Sequence, residues 1–178
     1  MLTSKRITIK PLEKKHLEKL RLFRNSPDTN YFLTSILPIN EAEQEEWFKK
    51  ISLDSTQMYL EIDKKNGDFI GIIRCDQWDK INRSIRVGID IIPEERLRGY
   101  ANETYDLLLN YFFLNLGVHR VWLLVVDYNK PALSLYKKLG FKIEGKQRDA
   151  IFRNNTFHDY IMMSILKKEH DKIQETKK

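Results

Sequence analysis

The segment Ile91-Ile92-Pro93-Glu94-Glu95-Arg96-Leu97-Arg98-Gly99-Tyr100-Ala101-Asn102-Glu103 is where residue types and spacing point most directly to chemistry. It runs from the end of an apolar, β-branched stretch into the start of a helical pattern. A helix N-terminus presents unpaired backbone N–H groups and the positive end of the helix dipole, and such a site binds phosphate oxygens. Gly99 and Ala101 are small enough to let a pyrophosphate approach the backbone. Arg96 and Arg98 add charge and forked donors. The same run also fits an ordinary loop with one glycine and two solvated arginines. It is not a Walker-type phosphate loop, since no Gly-Lys-Ser/Thr follows, nor a dinucleotide fingerprint, since G-x-G-x-x-G is absent.

Periodicity supplies the elements that must position this segment. Ile7, Ile9 and Leu12 alternate with polar residues and predict a first strand. Leu17, Leu20 and Phe23 recur at helical spacing up to Ser26-Pro27. Asn40 is placed to cap a second helix through Trp47, Phe48 and Ile51. Met58 to Ile62 and Phe69 to Trp78 predict strands joined through Lys65-Asn66-Gly67-Asp68, a hairpin signal. Ser84 to Ile92 follows as a strand that Pro93 stops. Gly99 to Leu116 reads as one long helix with Tyr105, Leu108, Phe112 and Leu116 inward. His119 to Val126 has the continuous apolar character of a buried parallel strand. An amphipathic helix through Ala132 to Leu139 stops at Gly140, and two last strands lie around Phe141 to Glu144 and Phe157 to Leu166. The class is α/β (α+β): a mixed, mostly antiparallel sheet of about seven strands with helices on both faces. The step from Ser84–Ile92 to His119–Val126 predicts a right-handed crossover and a parallel pair. Residues 1–168 form the expected single domain and 169–178 a charged tail.

With these elements in place, Arg96-Leu97-Arg98-Gly99-Tyr100-Ala101 resembles the Arg/Gln-x-x-Gly-x-Gly/Ala signature of the GNAT acyltransferases. Val125-Val126-Asp127-Tyr128-Asn129-Lys130-Pro131-Ala132-Leu133-Ser134-Leu135-Tyr136-Lys137-Lys138-Leu139-Gly140-Phe141 resembles that family's V-x-x-x-N-x-x-A-x-x-x-Y-x-x-x-G-F. The resemblance implies a GNAT fold with a splayed parallel pair, acetyl-CoA as co-substrate, and transfer of its acetyl group to an amine by direct attack. It implies that backbone N–H groups from about Leu97 to Asn102 wrap the pyrophosphate. Ile91 and Ile92 would lie beside the pantetheine arm, one N–H polarising the acetyl carbonyl. Asn129 would bond the pantetheine amides and Ala132 would give the cofactor room. Tyr136, one helical turn after Ala132, would protonate the departing CoA thiolate; a phenol ordinarily ionising near ~10 carries that proton at neutral pH. Without the resemblance, Tyr136 reads as an amphipathic core tyrosine.

Asn82-Arg83-Ser84-Ile85-Arg86-Val87-Gly88-Ile89 resembles the N-R-x-A-E-I-G stretch of the ribosomal-protein (RimJ/RimL-like) branch, but Arg86 stands where that branch has an acid. No base carries over. Arg86 is either an anchor for an anionic part of the substrate or an exposed strand residue. Asp76, Asp90 and Glu103 remain as unranked proton acceptors, and His119 and His158 read as structural or exposed. The end, Gly145 to Leu166, resembles the RimJ/RimL and spermidine acetyltransferase branches, while Arg24-Asn25 and Glu43 to Phe48 faintly resemble bacterial aminosugar N-acetyltransferases. The acceptor is left as a small-molecule amine or peptide N-terminus: a protein N-terminal amine, a polyamine, or an amino sugar or antibiotic.

Other classes fit less well. Of 178 residues, 42% are hydrophobic and 31% charged, and the net charge is +6 with acids and bases interleaved. That argues against a nucleic-acid surface, which needs clustered lysines with exposed aromatics. The basic end, Lys167, Lys168, Lys172, Lys177 and Lys178, reads as a solvated helix end and frayed tail. No run is long enough to cross a bilayer and the N-terminus has no apolar signal core, so a cytoplasmic protein is expected. Cys75 is the only cysteine, which excludes an internal disulfide and a multi-cysteine metal site; no metal is expected. A non-catalytic acyl-CoA sensor that kept the cofactor site but lost the base is the alternative function. Homodimers through late strands are implied by resemblance alone.

Overall fold

Alternation produces the first long strand: in β2 (Ile7–Pro11), Ile7 and Ile9 are buried while Thr8 and Lys10 are half-buried. A two-residue strand β1 (Leu2–Thr3) pairs antiparallel with it, Leu2 opposite Ile9. The computed structural model describes residues 1–176; Lys177 and Lys178 of the expected basic tail lie outside the described residues. Helices α1 (Leu17–Asn25), α2 (Pro27–Asn30) and α3 (Glu41–Ser52) follow. Ser26-Pro27 ends α1, and Pro27 then opens α2, where a missing N–H is tolerated. Asn40 caps α3 reciprocally: its Oδ1 accepts from the Glu43 N–H and the Glu43 carboxylate accepts from the Asn40 N–H, both at 2.9 Å.

Next come β3 (Met58–Lys64), β4 (Phe69–Asp79) and β5 (Ser84–Ile91). After them α4 (Tyr100–Asn110) runs into a π-helical turn, Tyr111–Asn115, so the helix expected to reach Leu116 changes register in its last turn. The chain closes with β6 (Arg120–Val126), α5 (Lys130–Lys138), β7 (Lys142–Arg153), β8 (Thr156–Leu166) and α6 (Lys167–Thr176). The strand order is β1-β2-β3-β4-β5-β6-β8-β7. The sheet is mostly antiparallel with one parallel pair, the predicted one, in which Ser84, Ile85 and Arg86 face Arg120, Val121 and Trp122. Both strands run on past that register, to Ile91 and to Val126.

The expected sheet of about seven strands has eight, the extra one being two-residue β1, too short to show a period. The strand expected to end at Glu144 continues to Arg153. Its middle is polar and exposed on both faces, and two register shifts against β8 erase the alternation that would have revealed it. The tail expected from residue 169 is helical to Thr176, with His170 buried, its Nε2 donating to Asn110 Oδ1 at 3.0 Å and its ring 5.1 Å from that of Phe113.

The described residues divide into two compact units. The first holds Met1–Asp76 and Gly88–Leu107, the second Gln77–Val87 and the residues from Leu108 onward. In the first, Leu12, Leu17, Leu20, Phe23, Phe69 and Ile72 form a core onto which Trp47, Phe48, Ile51 and Tyr59 pack. In the second, Phe112, Phe113, Val121, Leu123, Phe141, Met163 and Ile165 are buried.

Candidate active site

In the first unit the segment after β5 folds as a tight turn held by side chains. Pro93–Glu95 forms one turn of 3-10 helix, and Arg96 then crosses back. Its Nε donates to the Ile91 carbonyl, Nη1 to the Asp28 carbonyl and Nη2 to Thr29 Oγ1, each at 2.9 Å. Arg96 thus staples the loop to α2, with three of its five N–H donors committed. Leu97 adopts φ +60° and Gly99 φ +85°, while Leu97 is 92% exposed. A branched residue in that region is uncommon and marks a loop held in a set shape. Left-handed residues interleaved with ordinary ones turn successive N–H groups to one side, making an anion-binding concavity. The first helical bond of α4 runs from the Glu103 N–H to the Gly99 carbonyl at 3.1 Å. The N–H groups of Tyr100, Ala101 and Asn102 therefore precede the helix ladder and have no partner within it. Arg98 is exposed, 3.3 Å from Glu95. Asn102 Nδ2 donates to Asp106. The Ile92 N–H donates to the Ile70 carbonyl at 3.0 Å, and alternation along the strand turns the Ile91 N–H to the opposite edge.

Sequence reasoning missed Arg6. Its Nε donates to Glu103 Oε2 at 2.7 Å, its Nη1 to the Arg98 carbonyl at 3.0 Å, and its guanidinium lies 4.7 Å from the Tyr100 ring centroid. Ser4 Oγ also donates to Glu103. Nothing in the sequence near Arg6 signals this, since the contact depends on β1 and β2 delivering the chain start to the loop. It also removes Glu103 from the proton acceptors. Burial works to raise its carboxyl, but the hydrogen bonds from Ser4 and Arg6 prevail and hold it below the ordinary value.

Of the other two carboxylates, Asp76 lies 3.3 Å from Arg74 Nε. Asp90 is half-buried, and desolvation pushes its carboxyl up, opposed by the nearby charges of Arg74, Arg24 and Arg96. Gly88 precedes it by two residues on the same strand face. A side chain at Gly88 would begin 3.2 Å from Arg74 Nη2, so the Arg74 guanidinium covers that face. Elsewhere in this unit His16, Glu61 and Asp63 bring ligand-type atoms within 4.8 Å of one another. Lys10 Nζ already sits among them, 2.6 Å from Asp63 and 3.2 Å from Glu61, and serves as the cluster's cation.

In the second unit the residues expected to act are arranged by local bonds. Asn129 caps α5, its Oδ1 accepting from the Ala132 N–H at 3.2 Å, which leaves its amide NH₂ for other partners. Tyr136 is buried, its ring 5.8 Å from that of Phe141, and its carbonyl accepts from the Phe141 N–H at 2.9 Å. Gly140 ends the helix at φ +92°, where a side chain would meet Ile173 of α6 at 2.3 Å. Arg86 is neither simply exposed nor unattached: its guanidinium stacks 5.7 Å from the centroid of Trp122, whose ring Arg120 also covers at 5.6 Å.

Residues 6–142 match the family model for the acetyltransferase (GNAT) domain. A spermidine N(1)-acetyltransferase of Vibrio cholerae is 29% identical over 128 residues, covering 72% of this chain and 74% of that one. YdaF of Bacillus subtilis, provisionally named a ribosomal N-acetyltransferase, is 26% identical over 171 residues, 92% of each. The crystal structure of the Vibrio cholerae spermidine N-acetyltransferase with CoA and spermine superposes with a TM-score of 0.86 at 26% identity, covering 92% of this chain and 97% of that one. Among the described residues no helix is long and apolar enough to cross a membrane.

Proposed function

We propose, for a chain that belongs to the GNAT acetyltransferase family and is accordingly an acetyl-CoA-dependent N-acetyltransferase, that the acetyl group passes to a primary amine of a small molecule or a peptide N-terminus by direct attack. The observation that carries the residue assignment is the loop. Left-handed Leu97 and Gly99 lead into the unpaired N–H groups that open α4, a shape suited to a pyrophosphate. Arg98 adds charge, the Ile91 N–H polarises the thioester carbonyl, Asn129 and Ala132 accommodate the pantetheine, and Tyr136 supplies the acid. The ammonium of the acceptor loses one proton to solvent before attack. The neutral nitrogen then bonds to the thioester carbon and gives up a second proton as the C–S bond breaks. The Tyr136 phenol protonates the leaving sulfur and is reprotonated in turn, so one amide, one thiol and one net proton result.

The names of the relatives support a polyamine or a protein N-terminus as acceptor, and the faint aminosugar likeness of the front half adds a third candidate. Release of free CoA thiol across spermidine, N-terminal peptides, amino sugars and aminoglycosides tests the reading, with acetyl-CoA binding measured separately. Turnover of one acceptor well above the rest is expected. Tight acetyl-CoA binding with no turnover on any of these amines would instead favour the acyl-CoA sensor, which the replacement of an acid by Arg86 motivates.

A further inference from the structure

Arg96 makes bonds that a phosphate ligand would not make. A guanidinium grips a phosphate bidentately along its side edge, Nε with one Nη, or along its end edge, Nη1 with Nη2. Here the side edge has given Nε to the Ile91 carbonyl. Both nitrogens of the end edge are bonded to α2, Nη1 to the Asp28 carbonyl and Nη2 to Thr29 Oγ1, all at 2.9 Å. The receiving side is firm. Thr29 is buried, and its Oγ1 also accepts from Ser26 Oγ at 3.1 Å, which in turn donates to the Phe23 carbonyl of α1 at 2.8 Å. Phe23 belongs to the core of the first unit. The strand side is as well fixed. The peptide group between Ile91 and Ile92 is held at both ends, its C=O by Arg96 Nε and its N–H by the Ile70 carbonyl at 3.0 Å. The preceding peptide, which carries the Ile91 N–H, lies close against β4: a side chain at Gly71 would start 2.5 Å from the Asp90 carbonyl oxygen. Planar peptides restrained in this way leave the strand end little freedom. Arg96 also opens the loop with its own backbone. Its N–H donates to the Pro93 carbonyl at 3.2 Å, and the left-handed residues Leu97 and Gly99 follow.

We propose that Arg96 is a positioning residue that fixes the spacing between the two ends of the acetyl-CoA site, and not a ligand of the phosphates. One side chain joins the strand end, assigned to the thioester, to the loop, assigned to the pyrophosphate, and pins both to α2. A cofactor anchored by its pyrophosphate then delivers its thioester to the Ile91 N–H already in register, which is where proximity supplies rate. Lysine keeps the charge but is a point donor on a flexible stem, and does not span the strand and α2 together. The inference rests on the N-acetyltransferase reading above and on its assignment of Ile91 and the loop.

The test measures, by calorimetry on the full chain, the affinity for acetyl-CoA and for phospho-ADP, the same cofactor without its pantetheine arm and acetyl group. In the wild type, acetyl-CoA is expected to bind at least about tenfold more tightly, since the arm and the thioester add hydrogen bonds of their own. Arg96→Lys should keep the phospho-ADP affinity within about threefold and cut the advantage of acetyl-CoA by about fivefold or more, the scale of one lost hydrogen bond. Thr29→Val removes only the outer anchor and leaves Arg96 and the loop in place. It should show the same pattern more weakly, and it decides the matter if Arg96→Lys fails to fold. On any acceptor of the panel above that turns over, Arg96→Lys should lower kcat by about tenfold to a hundredfold with a smaller change in the KM for acetyl-CoA, the pattern of groups misplaced and not removed. Equal losses for phospho-ADP and acetyl-CoA in Arg96→Lys, with Thr29→Val like the wild type, would mark a phosphate ligand. That result overturns the positioning role and leaves the acetyltransferase reading intact. A wild-type chain that binds no acetyl-CoA overturns both.

Discussion

The loop from Arg96 to Asn102 and the segment from Asn129 to Phe141 both match family motifs, but they are held in shape in different ways. In the later segment, the bonds that set the geometry join near neighbours: Asn129 to Ala132, and Tyr136 to Phe141. In the loop, the decisive partners come from afar: Arg6 on Glu103 and Arg98, and Arg96 on Asp28 and Thr29. The first kind of motif contains its own instructions. The second states what the backbone must do and leaves the enforcement to residues outside it.

The sharpest way to break that contrast is at Gly99. Gly99→Glu places a charge and a side chain at a left-handed position, and is expected to weaken acetyl-CoA binding beyond about a hundredfold by calorimetry, since a carboxylate replaces an open backbone at an anion site. Tyr136→Phe is next: kcat should fall on the order of a hundredfold, the lower end for loss of a general acid, with acetyl-CoA affinity nearly intact. A fully active Tyr136→Phe would return this tyrosine to the core role its burial also fits. Arg6→Ala carries the comparison itself. It should weaken acetyl-CoA binding about tenfold, the scale of one charge-assisted hydrogen bond, without any contact to the ligand being removed from the motif. It should also change the acid side of stability. Glu103, held low in the folded protein, contributes stability that is full above its unfolded pKa and fades as pH falls through the lowered value. Without Arg6 the folded carboxyl moves back toward its unfolded value and that contribution shrinks, so thermal melts between neutral and acidic pH would register a smaller loss from this group. Gly140→Ala is the smallest. The flexible end of Ile173 can yield, leaving the left-handed backbone to cost about 1 kcal/mol, read as a lower Tm with acetyl-CoA affinity unchanged.

The same distinction explains what could be read in advance. The cap at Asn40, the parallel β5–β6 pair and the stop at Gly140 depend on local chemistry or on connection rules, and each was legible. The polar run of β7 was not, because an exposed edge strand with bulges has no apolar period to display. Helix α6 was masked by its charge; its anchors, His170 and Ile173, are too few to make a stripe. At the site, the motif residues could be named, but not that Arg96 is a staple, that Asn129 caps its own helix, or that Glu103 is occupied. Asp90 could be put on one face with Gly88 by counting along the strand. Only the fold brings Arg74 over that face.

The tie between Arg6 and Glu103 spans 97 positions along the chain. Contacts of such separation form slowly, because the closure of a long span must precede any reward for it. Arg6 leaves the ribosome well before its partner has been made. The loop proposed to greet acetyl-CoA is therefore among the late arrivals in the life of each molecule, and on that reading the onset of cofactor binding becomes a clock for the moment at which the newly made chain has brought its beginning back to its middle.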